Sequence, residues 1–201
     1  MSQAADKRDS APGWTGATTD PTRLVLLRHG QSPMSIRREY SGSRSNPDLT
    51  EVGKQQAAAA ARHLVELVDS GNMNFSAIVA SPQRRAQQTA EAAANALGLD
   101  IHIEEDLRET DFGQWEGMTF SEAHNSTPEL HSSWLADPTV APPEGEDFRS
   151  VDSRVSAARE RIAQQFGASD VLVVSHVTPI KSLLRQGLGC GFEIFARLHL
   201  D

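Results

Sequence analysis

The chain has a single cysteine, Cys190, in 201 residues. That excludes an internal disulfide framework and makes a reducing cytoplasm the expected compartment. Long hydrophobic runs are also missing. Apolar stretches such as Leu24 to Leu27 and Val171 to Val174 are strand-sized and far short of the ~18 residues that cross a bilayer, so no membrane partner is expected. The first twenty residues contain no apolar core of a secretory signal. Basic charge is in deficit: 19 Lys and Arg against 27 Asp and Glu give a formal net charge of −8. The field of such a molecule repels polyanions, so nucleic acid is not an expected partner. No His, Cys, Asp and Glu cluster has metal-ligand spacing, and neither a metal nor another cofactor is implied. Internal repeats are absent.

What the chain does contain is an alternation of strand and helix patterns. Residues 1 to 21, rich in Ser, Thr, Ala, Gly, Pro and Asp, read as a flexible tail or interdomain linker. A domain is expected from residue 22 to 201. Leu24 to Leu27 reads as a buried parallel strand, and Thr50 as the N-cap of a helix whose apolar stripe is Ala57, Ala60, Ala61, Leu64, Val65 and Val68. Phe75 to Ala80 reads as a second strand. Ser81 is expected as an N-cap with Pro82 at the first helical position, followed by a stripe of Ala86, Thr89, Ala90, Ala93 and Leu97 that Gly98 ends. A short strand at Ile101 to Ile103 precedes an irregular stretch from Asp106 to Glu146, where Thr119-x-x-Glu122 and Pro128 open short helices over the site. Phe148, Val151, Val155, Ala158 and Ile162 mark another helix, Val171 to Val174 a strand, and Thr178-Pro179 a further helix start. Leu198 to Asp201 looks like a last strand cut short, so a truncated C-terminus is expected. This order predicts an α/β fold of three layers, a mainly parallel sheet with helices on both faces.

Two strand patterns end in histidine. Arg28-His29-Gly30 follows the first strand, and Ser175-His176 follows Val171 to Val174. A strand end fixes an imidazole rigidly, and parallel strand ends in open α/β sheets are where ligands sit. Arg84 and Arg85 fall in the first turn of a helix, where a cation opposes the helix dipole and a bound anion would explain it. Arg28, Arg37, Arg38, Arg44, Arg84 and Arg85 gather in three short segments, which makes a locally positive pocket on an acidic protein. In the loop from Leu107 to Gly117, carboxylates alternate with glycine and aromatics, a setting that raises the pKa of a carboxyl group. Each motif taken singly has a plain structural reading: a strand-capping histidine, a solvated arginine, an ordinary surface loop.

Taken in order, Arg28-His29-Gly30, Ser81-Pro82 with Arg85-Ala86, Glu109 and Ser175-His176 resemble the histidine phosphatase superfamily, in its phosphoglycerate mutase-like branch. Asn46 to Gly53 with Gln56-Ala57 extends the resemblance from about Arg23 to the C-terminus. Asp111-Phe112-Gly113, Trp115-Glu116-Gly117 and Pro143-Glu144-Gly145-Glu146 are most similar to α-ribazole phosphatase-like proteins and to the acid phosphatase half of bifunctional ribonuclease H and phosphatase chains. The resemblance implies hydrolysis of a small phosphomonoester without a metal. His29 would attack phosphorus, Glu109 would protonate the leaving oxygen, and Arg28, Arg85 and His176 would hold the phosphoryl group. It also implies substrate contacts from Ser35, Ser41, Gly42 and Val177, with Thr178 as the alternative to Val177 and Arg84 left open beside Arg85. An N-terminal ribonuclease H domain joined to this one is a further implication.

The chain departs from the family pattern at Ser32 and Ser35, where many relatives have Thr and Asn, and at Val177-Thr178, where relatives often have Gly-Gly. A phosphoglycerate-type mutase shares such a site but must keep water from its phosphohistidine. The short span from Glu109 to His176 favours hydrolysis, and a catalytically dead binding module is the third reading. Cys190 and Arg197 do not have the spacing of a cysteine phosphatase loop. Activity is expected to follow a bell-shaped pH profile with an acidic to neutral optimum, His29 neutral and Glu109 protonated. Tyr40, Trp115, Phe120 and Trp134 are candidates to line the cover.

Overall fold

The computed structural model describes residues 21–200. The tail or linker expected over residues 1 to 21 therefore lies, but for its last residue, outside the described residues. Four strands, β1 (Arg23–Arg28), β2 (Phe75–Ala80), β3 (Ile101–Ile103) and β4 (Asp170–Ser175), form one sheet in the order β1-β4-β2-β3, and every pairing is parallel. The helices are α1 (Pro33–Arg37), α2 (Glu51–Asp69), α3 (Arg84–Leu97), α4 (Phe120–Ser126), α5 (Pro128–Ala136), α6 (Phe148–Phe166), α7 (Val177–Leu188) and α8 (Ile194–Arg197).

Successive side chains of a strand point to opposite faces, and β4 shows how this builds three layers. Val171 and Val173 pack with Ala77 and Val79 against Val151, Val155, Ala158 and Ile162 of α6 and Leu183 of α7. Leu172 and Val174 pack with Ile78 and Ala80 against Leu64 of α2 and Ala86, Ala90 and Ala93 of α3. Central β4 is therefore apolar from Val171 to Val174, as its sequence suggested. The first strand, expected to be buried, is an edge strand with one neighbour, and its residues are only partly covered.

Thr50 caps α2 by accepting from the Gly53 amide, and Thr119 with Glu122 forms a reciprocal capping box at α4. Four expectations need correction. Ser81 is not an N-cap: α3 begins at Arg84 after Gln83, because the Ser81 hydroxyl is turned toward His176, 2.7 Å away. The helix after His176 starts at Val177, one residue early. A five-residue helix, α1, stands just after the first strand where none was expected, closed by a capping box between Ser32 and Ser35. Finally, residues 198 to 200 form no strand, and Asp201 lies outside the described residues; the Leu200 carbonyl instead accepts from Arg28 Nη1 at 2.7 Å.

Candidate active site

Register brings the polar residues together. Arg28 pairs with Ser175 and Ala80 with Val174, so His29, Ser81 and His176 leave three neighbouring parallel strands at the same edge of the sheet. The rings of His29 and His176 stand 5.0 Å apart, tilted by 57°. The loop after His29 presses against the start of α2. A Cβ on Gly30 would meet the Gly53 carbonyl oxygen at 2.4 Å, and one on Gly53 would meet the Gln31 carbonyl at 2.1 Å, so both positions need glycine.

The His29 backbone N–H donates to the Ser175 carbonyl (3.0 Å), and its Nδ1 lies 2.7 Å from the Gly30 carbonyl. A carbonyl can only accept, so the ring proton sits on Nδ1 and the lone pair on Nε2. Arg85 Nε lies 3.2 Å from that Nε2. Removal from water, followed by the positive charge of Arg85, lowers the His29 pKa to about 3, with a smaller push from Arg28. His29 is therefore neutral across the physiological range. His176 is fully buried, and burial, then the charge of Arg85 and the neighbouring His29, hold its pKa well below the usual histidine range.

Arg85 is completely buried, yet it remains a cation: burial lowers its pKa only to about 10. Its guanidinium is seated by main-chain oxygens, Nη1 on Ser45 (3.1 Å) and Nη2 on Ser41 (3.0 Å) and Gly42 (3.3 Å). Arg84 turns the other way, pairing with Asp48 at 2.8 Å on the surface. Glu109 is 6% exposed, and its carboxylate accepts from the amides of Thr110 (2.8 Å) and Thr178 (3.3 Å).

The other residues named from sequence take mixed places. Ser35 lines a cavity of about 420 Å³ beside Arg28, His29 and Thr89, but its hydroxyl donates to the Ser32 carbonyl within the capping box. Ser41 and Gly42 meet Arg85 through their carbonyls, and the Gly42 amide donates to Glu116 (3.0 Å). Val177 opens α7 beside the site, while the Thr178 amide faces Glu109. Tyr40, Trp115 and Trp134 are buried in the core of the cover together with Phe112 and Ala123, whereas Phe120 is 53% exposed.

Four residues that the sequence reading did not assign to the site support it. Glu116 accepts from the Gly42 and Arg44 amides and the Ser45 hydroxyl, which ties down the loop that seats Arg85. Arg154 on α6 donates to the carbonyls of Asp106, Arg108 and Glu109 and to both oxygens of Glu146, clamping the loop that carries Glu109. Ser81 meets His176, and Gln83 meets Glu109. Their signal in the sequence is faint, since a polar residue at a loop end ordinarily faces solvent; only the Ser81-to-Ala86 motif pointed to that segment. Among the described residues, no group of three or more His, Cys, Asp and Glu side chains could hold a metal ion.

Known proteins resemble this chain in sequence and in fold. The profile of the histidine phosphatase superfamily (branch 1) matches residues 24–201. A bifunctional protein of Mycobacterium tuberculosis is 51% identical over 197 residues, 98% of this chain but 52% of its own length, so the chain spans about half of that relative. Phosphoserine phosphatase 1 of Hydrogenobacter thermophilus is 32% identical over 180 residues, which is 89% of this chain and 82% of that protein. Among solved structures, the α-ribazole phosphatase of Shigella flexneri superposes with a TM-score of 0.77 at 28% identity, covering 90% of this chain and 86% of the other. A mycobacterial glucosyl-3-phosphoglycerate phosphatase complexed with VO3 gives 0.78 at 30% identity, covering 89% and 87%. With two histidines and a buried arginine meeting at the strand ends where the profile aligns, the chain belongs to the histidine phosphatase superfamily.

Proposed function

We propose that this domain hydrolyses a small phosphomonoester through a phosphohistidine on His29. The observation that carries the reading is the tautomer: Nδ1–H is held by the Gly30 carbonyl, leaving a neutral Nε2 beside the Arg85 guanidinium. Nε2 attacks phosphorus, and the P–O bond to the leaving group breaks. Glu109 is the group placed to give a proton to the departing oxygen. Arg28, Arg85 and His176 hold the phosphoryl oxygens, whose negative charge spreads in the transition state. Water then attacks the phosphohistidine with Glu109 as base, releasing inorganic phosphate and restoring both residues. None of these steps draws on a metal.

The curated relatives include phosphatases for phosphoserine and for glucosyl-3-phosphoglycerate, which supports a small phosphorylated metabolite as substrate class. A relative twice as long and named bifunctional supports attachment of this domain to a second one; we take that partner to be a ribonuclease H-type domain N-terminal to residue 22, in a cytoplasmic protein. No helix among the described residues is long and apolar enough to cross a membrane.

The test is release of phosphate from p-nitrophenyl phosphate and a panel of metabolite monoesters in excess chelator, by wild-type and His29→Ala protein. Chelator-resistant turnover, an acid-labile phosphoenzyme and loss of both in the variant are expected. Turnover that persists in His29→Ala removes the nucleophile assignment.

A further inference from the structure

Gln83 stands between the two halves of the site. It is 5% exposed, immediately before α3, and all of its side-chain hydrogen bonds are directed inward. Its Nε2 donates to the carbonyl of Gly42 (2.8 Å) and to that of Ser45 (3.1 Å). Its Oε1 accepts the backbone N–H of Glu109 at 2.8 Å. These partners fix the orientation of the amide. Gly42 and Ser45 offer only carbonyl oxygens and Glu109 only an N–H, so a flipped amide would set oxygen against oxygen and N–H against N–H.

The same two carbonyls, with that of Ser41, seat the Arg85 guanidinium. One planar amide thus touches both the cradle of the phosphate-binding arginine and the main chain of the acid. We propose that Gln83 is a positioning residue that sets the distance between Glu109 and the phosphoryl group held at Arg85. The inference rests on the assignment of Glu109 as general acid. Its physical basis is that a buried amide is satisfied here in one geometry only, so the 41–45 loop and the 109 loop cannot shift independently without leaving a buried N–H or C=O unpaired. Other side chains fail in definable ways. Methionine matches the length but makes none of the three bonds. Glutamate keeps an acceptor for the Glu109 N–H and loses both donors.

A general acid matters most when the leaving oxygen is a poor leaving group, which separates misplacement of the acid from general loosening. The experiment compares kcat/KM for an alkyl phosphate and for p-nitrophenyl phosphate in wild type, Q83M, Q83E and, as control, Glu109→Gln, with circular dichroism and urea unfolding as checks on folding. For Q83M, a fall of ~100-fold is expected on the alkyl ester, comparable to the effect of misplacing a reacting group by ~1 Å, against ~5-fold on the aryl ester. Q83E, which keeps the acceptor for Glu109, is expected to lose similar amounts on both esters, mainly through KM, as the Arg85 cradle loosens. Equal losses on both esters in a folded Q83M, or a Q83E that behaves as Q83M, overturn the inference. If Q83M does not fold, Q83L, which also removes all three bonds, carries the same comparison: a larger loss on the alkyl ester is expected, and equal losses overturn the inference. Should Glu109→Gln itself show no greater loss on the alkyl ester, the acid assignment fails rather than the role of Gln83.

Discussion

The strand-end pocket and the cover above it are built on opposite terms. In the pocket, charged and polar groups are buried or partly buried and held mainly by main-chain atoms: Arg85 on three carbonyls, Glu109 on two amides, half-buried His29 on one carbonyl. The cover is an aromatic cluster, in which Tyr40, Phe112, Trp115 and Trp134 pack with α4 and α5 around one buried polar pair, Tyr40 with His131 at 2.8 Å. Main-chain seats hold the charged groups in one geometry, whereas the aromatic cluster buries apolar area. Catalysis should therefore be intolerant of substitution in the first region, and stability in the second.

Arg85→Ala should have the largest effect on that contrast. A fall in kcat/KM of ~10³-fold is expected, the scale for loss of a donor aimed at developing charge, and phosphate release assays measure it. Arg154→Ala should be next. Its side chain is 10% exposed and holds Glu146 together with the Glu109 loop, so kcat should fall ~100-fold with little change in KM. Urea unfolding should show a loss of about 3 kcal/mol, since Glu146 is left without its partner. Trp134→Ala should invert the pattern, with a destabilisation of about 3 to 4 kcal/mol and a change in p-nitrophenyl phosphate turnover below ~10-fold. If turnover collapses while the fold holds, the cover takes part in the chemistry and the contrast is lost.

The smallest expected effect concerns pH. Burial, then Arg85, hold the folded His29 near a pKa of about 3, against 6.5 as its ordinary value. Its lone pair is present from neutral pH down to about pH 3, so the acid limb expected from His29 moves to that value. Any fall in kcat/KM between pH 7 and pH 4 must come from another group. Folding is linked with the opposite sense. Between pH 6.5 and pH 3 the unfolded chain binds a proton at this position and the folded one does not, so stability falls as pH falls. His176 adds in the same direction. Urea midpoints at pH 7 and pH 4.5 should show the decline, and His176→Gln should lessen it.

The fold was legible where local pattern and tertiary role agree. Central β4 is apolar throughout because it is covered on both faces, and α2, α3 and α6 carry one-sided stripes because each has one face on the sheet. Of the site, His29 and His176 could be brought together from sequence because both end strands of one parallel sheet. Ser81 illustrates what local rules miss. Its sequence context, Ser-Pro after a strand, is that of an N-cap, but a buried imidazole competes for the hydroxyl and the helix begins three residues later. Gln83 and Glu116 carry no local signal because their partners lie 26 or more positions away, as with Gln83 to Glu109 or Glu116 to Gly42; Arg154 has Glu146 eight positions off, but the carbonyls of residues 106 to 109 that it clamps are 45 or more away. Of the aromatic residues read as candidates to line the cover, Tyr40, Trp115 and Trp134 bury their apolar area against one another, while Phe120 stays 53% exposed.

The seating of Arg85 on neutral oxygens has a consequence for the end of the reaction cycle. Among the described residues no carboxylate accepts a hydrogen bond from it, although Glu109 and Glu116 lie near enough to favour its charge, so an arriving dianion displaces no hydrogen-bonded anion. Inorganic phosphate presents the same oxygens as the ester and keeps every one of these contacts. Release of the product should therefore be slow relative to the chemistry, and free phosphate should inhibit competitively at concentrations comparable to the KM of the substrate.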